Sequence, residues 1–579
     1  MPEKKNNKSG YAVLLIILLI GGVARLWGID FGLPHTMCRP DESWLLSISF
    51  RFGSGDLNPH FFIYPTLYMY LCFCLYIIYF IFGLISGQFT SVSDLLAIYC
   101  LDPSILYIIN RCLSAFTGII TIFVVYRIAK SWFEEKTALV AAFFLSLAFL
   151  HVRDSHFAIT DITMTLFIMC SFLYIIKCRH STGIKNYVFA GIFAGLAAST
   201  KYAGIILLGP MALVHIFNMA DERPVRWSNL IDRRVVLFCT SMIIAFLAGT
   251  PFALLDYPAF LGGFMYDVNH LKEGGVEALV VLERGWLRHS KYTLPYGLGW
   301  SLFCASLAGI AILMKLDVRK ALVLCAFPLL YFIPAGRGLY VTVRYMIPLI
   351  PFFCLTGAIF VVAACDVLTR KNKNHRLKNS VTVIVAALVI SPSLYSVVQF
   401  DRLISQKDNR LIANEWVNKN IPEGTSIYQR GLAPLELPRL FKDMEKEYNQ
   451  KVARGINDRC LKIKIEDMQR RKVIGYENWE PSLDGNDMLY NNVMQKTLPD
   501  YMIIGLSPLK YHSIIPDTIQ QALKTSYRLI KTFIAVDMSR SDRWYDLQDA
   551  FYVPFKGFQG VARPGPNLYI YKRNGRGNS

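Results

Sequence analysis

The stretch "YAVLLIILLIGGVARLWGIDFGLPHTMCRPDESWLLSISF", residues 11–50, decides the fold. Residues 11–28 form an apolar run of the length a bilayer crossing requires, roughly 17–25 residues. No small-x-small cleavage site follows it, so it reads as an uncleaved first span rather than a signal peptide. Just beyond come Arg39, Asp41 and Glu42. Charges at a membrane edge are expensive and point to function unless a local role explains them. What they do depends on what else shares their side of the membrane.

Working outward, 54% of the 579 residues are hydrophobic and the mean hydropathy is +0.35, which excludes an ordinary soluble chain. The formal net charge of +19 reads as topology marking rather than as a nucleic-acid surface, because the basic residues cluster between apolar runs. The clusters are Lys4/Lys5/Lys8, Arg127/Lys130/Lys136, Lys177/Arg179/Lys185, Arg223/Arg226/Arg233/Arg234, Lys315/Arg319/Lys320 and Arg370/Lys371/Lys373/Arg376/Lys378. Placing all six in the cytoplasm satisfies the positive-inside rule. Spans then fall near 11–28, 105–127, 137–152, 161–177, 187–200, 203–219, 235–250, 297–314, 321–336, 344–364 and 380–398. That is eleven crossings, with the N-terminus cytoplasmic and the C-terminus outside.

One run does not fit. "YPTLYMYLCFCLYIIYFIFGLI" (64–85) is long enough to cross, yet crossing alone would invert every later basic loop. It is expected to lie along the outer interface or to form a re-entrant hairpin, covered by protein. The alternative is a twelfth span paired with a short crossing near 90–103. Most of the thirteen cysteines sit in apolar runs as small packing residues. Cys38, Cys100 and Cys460 lie outside the spans, and no spacing suggests a metal site or a disulfide framework.

This topology gathers polar residues on the outer side. "HVRDSHFAITDITMTLF" (151–167) supplies Asp154 and His156 before a span and Asp161 in its first turn. An acid there also caps free N–H groups and complements the helix dipole, so Asp161 alone is ambiguous. Asp154 and Asp161 are seven residues apart and share a face if the helix extends back that far. "AASTKYAGIILLGP" (197–210) puts Lys201 and Tyr202 in a tight outer turn, where a lysine usually snorkels. "GRGLYVTVRYMIPLIPF" (336–352) brings Arg337 and Arg344 to a proline-interrupted helix end, where guanidinium forks suit phosphate oxygens. The 251–296 loop mixes aromatic and basic residues, as a lid over an amphiphile or an interfacial belt would. Carboxylates can accept a proton from a hydroxyl, and Arg or Lys can hold a phosphate leaving group.

"RPDES" (39–43), "NPHFFIYPTLYMYL" (58–71), "SHFAITDITMTLF" (155–167), "GLAASTKYAG" (195–204) and "RYMIPLIPF" (344–352) together resemble the GT-C membrane glycosyltransferases. More narrowly, they resemble the branch containing protein O-mannosyltransferases and lipid A aminoarabinose transferases. The resemblance covers most of residues 10–400, and the first outer loop is its most specific part. It implies a polytopic helical fold with juxtamembrane helices in that loop. It also implies a polyprenyl-phosphate-sugar donor, a lipid, glycan or protein acceptor, and transfer of a hexose or pentose on the extracytoplasmic face of a bacterial or archaeal plasma membrane.

Asp41 matches the first-loop acid proposed as catalytic in that branch, with Glu42 as its partner and Asp161 at the second acidic position. Arg344, Lys201 and Arg337 are the candidates for the donor phosphate. Asp154, His156, Tyr202, Tyr64 and His60 are those for acceptor or sugar. Where relatives carry two prolines this chain reads "YPTL" (64–67), and an acidic–basic pair of the aminoarabinose transferases is replaced by Ile63 and Tyr64. That departs from an aminoarabinose substrate, not from the chemistry. The residues fix no cofactor, and a divalent cation, Mg²⁺ or Mn²⁺, is the candidate they leave open. Adjacent carboxylates could hold a divalent cation through a phosphate, but no cage of oxygen ligands is apparent.

After residue 400 the pattern shifts. "DNRLIANEWVNKNIPEGTSIY" (408–428) predicts a helix and then a strand, and "PDYMIIGLS" (499–507) and "NLYIYKR" (567–573) predict strands. Residues 400–579 therefore read as an extracytoplasmic α/β domain, and 1–399 as the transmembrane domain. The charged stretch 441–474 reads as a solvated helical face, and the domain is expected to cap the outer cavity or help select the acceptor. The rival class is a transporter or flippase of an anionic lipid or lipid-linked sugar. Internal repeats and mid-depth charges would mark one, and neither is visible. A receptor that binds glycolipid without chemistry could use the same residues.

Overall fold

The computed structural model describes residues 8–574 except 182, 223–231, 274–283, 340, 480–497 and 548. The expected basic residues Lys4, Lys5, Arg223 and Arg226 and the 274–283 part of the expected lid lie outside the described residues. The chain separates into two units. The first comprises residues 1–29, 44–75 and 109–401, and the second comprises 30–43, 76–108 and 402–579.

The first unit is a polytopic helical bundle. Each of the eleven expected spans is helical, from Lys8–Leu26 and Ser104–Trp132 through Ile350–Leu368 and His375–Ile404. Among the described residues, eight helices are long and apolar enough to cross a membrane, or nine if the bent pair Gly285–Leu298 and Trp300–Leu316 counts as one span. Helix Leu67–Ile85 is among the eight by length and composition. Small residues let neighbouring helices approach closely. A Cβ on Gly191 or Gly195 of helix Ile184–Thr200 would meet Phe238 O or Met242 O of helix Arg233–Gly249 at 2.3 and 2.2 Å. Lipid supplies no hydrophobic drive between helices, so this close packing is what holds them.

One end of the bundle gathers basic loops. Arg179 and Arg319 both reach Asp221, at 2.5 and 2.6 Å, and Lys136 reaches Asp366 at 3.2 Å. Arg179 ends the helix that Asp161 begins, Thr160–His180. Eighteen residues of helix separate the two by about 27 Å, nearly the thickness of a hydrocarbon core. The basic loops and the polar residues of interest thus occupy opposite ends of the same helix.

The second unit is built on a five-stranded sheet: β1 (Ser426–Arg430), β2 (Glu477–Trp479), β3 (Tyr501–Leu506), β4 (Tyr527–Phe533) and β5 (Asn567–Arg573), in the order β2-β1-β3-β5-β4. β1 runs parallel to β2 and β3, whereas β5 is antiparallel to β3 and β4. Helix Asn409–Asn420 buries Ala413 and Val417 with Ile427, Ile503 and Ile570 on one face of the sheet. Helix Asp517–Ser526 buries Ile519 and Ala522 with Tyr428, Met502 and Ile504 on the other. The 441–474 stretch forms two amphipathic helices, Phe441–Ala453 and Arg459–Arg471.

One expectation is corrected here. Cys100, at the end of helix Val92–Leu101, is disulfide-bonded to Cys460 at a Cα separation of 5.3 Å. The partners are 360 residues apart, so no local spacing could announce them.

Candidate active site

The helix carrying Asp161 starts where it does because its predecessor is interrupted. Helix Glu135–Leu147 stops at extended Ala148, a short helix Phe149–Asp154 follows, and Thr160–His180 begins after a turn. The backbone groups freed by the break are satisfied by side chains. Arg25, fully buried, donates to Leu145 O and Ser146 O at 3.0 Å each and to His151 Nδ1 at 3.0 Å. Ser393 donates to Leu147 O at 2.9 Å and accepts from Phe149 N–H at 2.8 Å. Buried backbone groups left unpaired in an apolar setting cost several kcal/mol, about 2–7 each, so these two side chains make the break affordable.

The condition under which Asp154 and Asp161 share a helix face is therefore not met. Asp154 is fully buried and accepts from Arg153 at 2.9 Å. His156 is also buried, with Nδ1 3.0 Å from Val152 O, Nε2 3.1 Å from Trp27 O and Asp401 at 3.7 Å. His156 ties the turn before the Asp161 helix to Trp27.

Asp161 itself is 1% exposed and accepts from Lys201 Nζ at 2.7 Å. Lys201 caps helix Ile184–Thr200 in extended conformation, with its N–H donating to Ala197 O at 2.9 Å. Its ammonium sits 4.8 Å from the Tyr345 ring centroid and 6.0 Å from that of Tyr64. Arg344, 3% exposed, donates to the Tyr64 hydroxyl at 3.3 Å. Two cations, one carboxylate and two tyrosines thus surround one point at the N-terminal end of the Thr160–His180 helix. Lys201 is not a snorkelling anchor: it points inward, into this group.

The loop supplying Tyr64 is pinned on several sides. Tyr202 donates to Phe62 O at 2.7 Å and packs edge-on against Phe264 at 4.9 Å. Asn58 donates to Asp256 at 2.8 Å, and Thr66 N–H donates to Thr250 Oγ1 at 3.3 Å. Gly263 lies so close that a Cβ there would meet Phe62 C at 2.7 Å. Tyr202 is therefore a support for the loop, joined through Phe62 to the Tyr64 segment. His60, at φ +48°, is solvent-exposed and pairs with Asp56 at 2.8 Å; Arg337 is exposed in the turn after helix Val318–Ala335. Neither is in the Lys201–Arg344 group.

Asp41 and Glu42 belong to the second unit and form the first turn of helix Pro40–Arg51. Pro40 suits that position because its missing N–H has no helical partner to lose. Glu42 N–H donates to Arg39 O at 3.0 Å. Glu42 is buried and Asp41 partly exposed, so of the two Asp41 is the one open to a reactant. Among the described residues no three His, Cys, Asp or Glu side chains form a group able to hold a metal. The residues that sequence reasoning missed are Arg25, Ser393 and Tyr345. An arginine inside an apolar run was the available signal for the first, and the motif "RYMIPLIPF" contained the last.

Residues 101–262 match the family model described as dolichyl-phosphate-mannose-protein mannosyltransferase. No curated protein matches the chain in sequence. Among solved structures, ArnT from Cupriavidus metallidurans bound to undecaprenyl phosphate is 12% identical, with 98% of each chain aligned at a TM-score of 0.51. The Archaeoglobus fulgidus oligosaccharyltransferase in its apo form is 14% identical over 98% of this chain and 89% of that one, at a TM-score of 0.50. Against the same archaeal enzyme tethered to an acceptor peptide, the alignment covers 73% of this chain and 62% of that one, at 15% identity and a TM-score of 0.48. At such identities the likeness speaks to the fold.

Proposed function

We propose that this is a GT-C-type membrane glycosyltransferase of the branch that includes protein O-mannosyltransferases and ArnT, and that it moves a sugar from a polyprenyl-phosphate-linked donor to an acceptor hydroxyl on the extracytoplasmic face. The observation that carries the reading is the Lys201–Asp161–Tyr345–Tyr64–Arg344 group, which lies at the opposite end of helix Thr160–His180 from the basic loops. The positive-inside rule assigns those basic loops to the cytoplasm, so the group opens outward. The Cys100–Cys460 disulfide supports an extracytoplasmic place for the second unit, because such bonds persist in oxidising compartments.

The mechanism is a single displacement with inversion. Asp41 takes the proton of the acceptor hydroxyl as its oxygen attacks the anomeric carbon. The bond from that carbon to the phosphate oxygen breaks, and the polyprenyl phosphate leaves with the electron pair. Arg344 and Lys201 neutralise the charge that develops there, an effect strongest where water is excluded. Asp161 holds the Lys201 ammonium in place, and Tyr64 holds the Arg344 fork. Glu42 orients Asp41 or the acceptor. A base on the face opposite the leaving group is sufficient for inversion, so a second nucleophilic carboxylate is not needed.

The test uses purified protein in detergent, polyprenyl-phosphate sugar and membrane extract as acceptor source. Sugar transfer without any gradient supports an enzyme and excludes a pure transporter. Asp41→Asn is expected to lose about 10²–10⁴ in rate, and wild-type turnover in that variant would refute the assignment of the base.

A further inference from the structure

The segment that bears Asp41 and Glu42 is held, residue by residue, by the C-terminal domain. Residues 30–43 form one unit with residues 402–579. His35 Nε2 donates to Pro434 O at 2.8 Å, which leaves Nδ1 to accept from Met37 N–H at 3.3 Å. Thr36 donates twice to Glu436 Oε1, from N–H at 2.9 Å and from Oγ1 at 2.7 Å. Cys38 Sγ receives Arg410 at 3.1 Å, and Arg410 is forked onto Asp408 at 2.8 and 2.9 Å. Arg39 donates to Asp549, and both side chains are buried.

Arg39 is the lever. It lies immediately before Pro40, in the extended conformation that a following proline imposes, with φ −131° and ψ 94°. Pro40 has its own φ restricted by its ring, and Asp41 follows in helical geometry. With its side chain buried and its guanidinium held by Asp549, Arg39 is fixed in place, and the restricted Pro40 leaves few soft backbone torsions between it and Asp41, so the Asp549 contact bears on where Asp41 sits. A buried ion pair is a weak way to gain stability, because apolar side chains of similar volume commonly do as well or better. What a charged, directional contact adds is a defined position.

We propose that Asp549 and Glu436 are positioning residues for the transfer reaction: acting through Arg39 and Thr36, they fix the first turn of helix Pro40–Arg51, so that the C-terminal domain aims Asp41. This rests on the reading of Asp41 as the base. It assigns the domain a part in chemistry distinct from covering a cavity or selecting an acceptor. Misplacing a reacting group by 1 Å can cost about 10²-fold, which sets the scale of the effect.

The experiment compares full-length Asp549→Asn, Arg39→Gln, their double variant and Glu436→Gln in detergent, with melting temperatures alongside. Asp549→Asn is expected to lower kcat about 10–100-fold with KM for the donor within about twofold, and the double variant to be no worse than the poorer single one. Glu436→Gln, at the more exposed contact, is expected to lower kcat about tenfold or less. Asp500→Asn, at the exposed pair with Arg573 in the same domain, is expected to keep wild-type kcat. Wild-type kcat in Asp549→Asn overturns the proposal, as does a loss that only tracks the folded fraction or an equal loss in Asp500→Asn. If Asp549→Asn fails to fold, Glu436→Gln decides alone, and unchanged kcat there overturns it. Asp41→Asn is assayed in parallel. If it is inactive while Asp549→Asn is normal, only the positioning role fails; if it is active, the base assignment fails and the positioning role with it.

Discussion

Replacing Lys201 by methionine tests whether Asp161 and Lys201 form one electrostatic unit. Asp161 is 1% exposed and the Lys201 side chain 14% exposed, with 2.7 Å between ammonium and carboxylate. Lys201→Met keeps the length of the side chain and removes the charge, leaving a carboxylate buried without its cation. Breaking a buried pair in this way costs about 3–5 kcal/mol, and loss of the contact with the Tyr345 ring adds about 0.5–1 kcal/mol. Asp161→Asn leaves a flexible cation that can turn toward water, and should cost about 1–2 kcal/mol. The double variant removes both charges and should lie within about 1–2 kcal/mol of the wild type, since a neutral pair pays no penalty for burial. The expected order of stability is therefore wild type, double variant or Asp161→Asn, and last Lys201→Met. Denaturation of the four proteins in one detergent closes the cycle, and a coupling of at least 2 kcal/mol is expected from these figures. Additive losses would refute the reasoning, because they would mean that the two groups do not see each other. Transfer should fall in all three variants, since each disturbs the cation assigned to the donor phosphate.

Three further outcomes follow from other parts of the molecule. Cys100 and Cys460 should resist maleimide until a reductant is added, and Cys460→Ser should cost about 2–4 kcal/mol of stability; labelling of both without reductant contradicts the pairing. His512 is packed beside the Tyr552 hydroxyl at 3.1 Å, and burial pushes its pKa down to about 4. Its neutral ring contributes fully above the unfolded value near 6.5, and that contribution is lost as pH falls toward 4. His35 shifts down in the same direction, from burial and then from Arg410. Chemical denaturation at pH 7 and pH 4.5 should show a loss of about 2 kcal/mol attributable to His512, after allowance for solvent screening, and His512→Gln should flatten the slope. Gly195→Ala should force helices Ile184–Thr200 and Arg233–Gly249 apart, at a cost of about 1–3 kcal/mol seen as a lowered melting temperature; an unchanged one would mean the helices can yield.

Hydropathy and charge are local, additive properties, and whatever depends on them was legible in the chain. The eleven helical stretches, the tail's first helix and three of its strands, and the presence of Asp41, Asp161, Lys201 and Arg344 at polar ends of apolar runs all came from reading neighbours. What those residues touch did not. Asp154 and Asp161 look like one helical face, but Asp154 closes the short helix Phe149–Asp154 and Asp161 opens the next one after the turn at 155–159, and the earlier break at Ala148 has its backbone satisfied by Arg25 and Ser393 from distant helices. His156 looks available for a ligand in the sequence, yet its ring is spent on Val152 O and Trp27 O.

The amino-acid sequence by itself determined the membrane character and the kinds of group available for chemistry, because bilayer partitioning acts on each segment almost independently. Only the tertiary structure decided that Lys201 meets Asp161, that Arg344 reaches Tyr64 across 280 residues, and that the Asp41 segment rests on a domain some 400 residues downstream. Such pairings depend on where helices break and how closely small residues let them pack. Those are properties of the whole bundle and of the folded tail, and no window of sequence contains them.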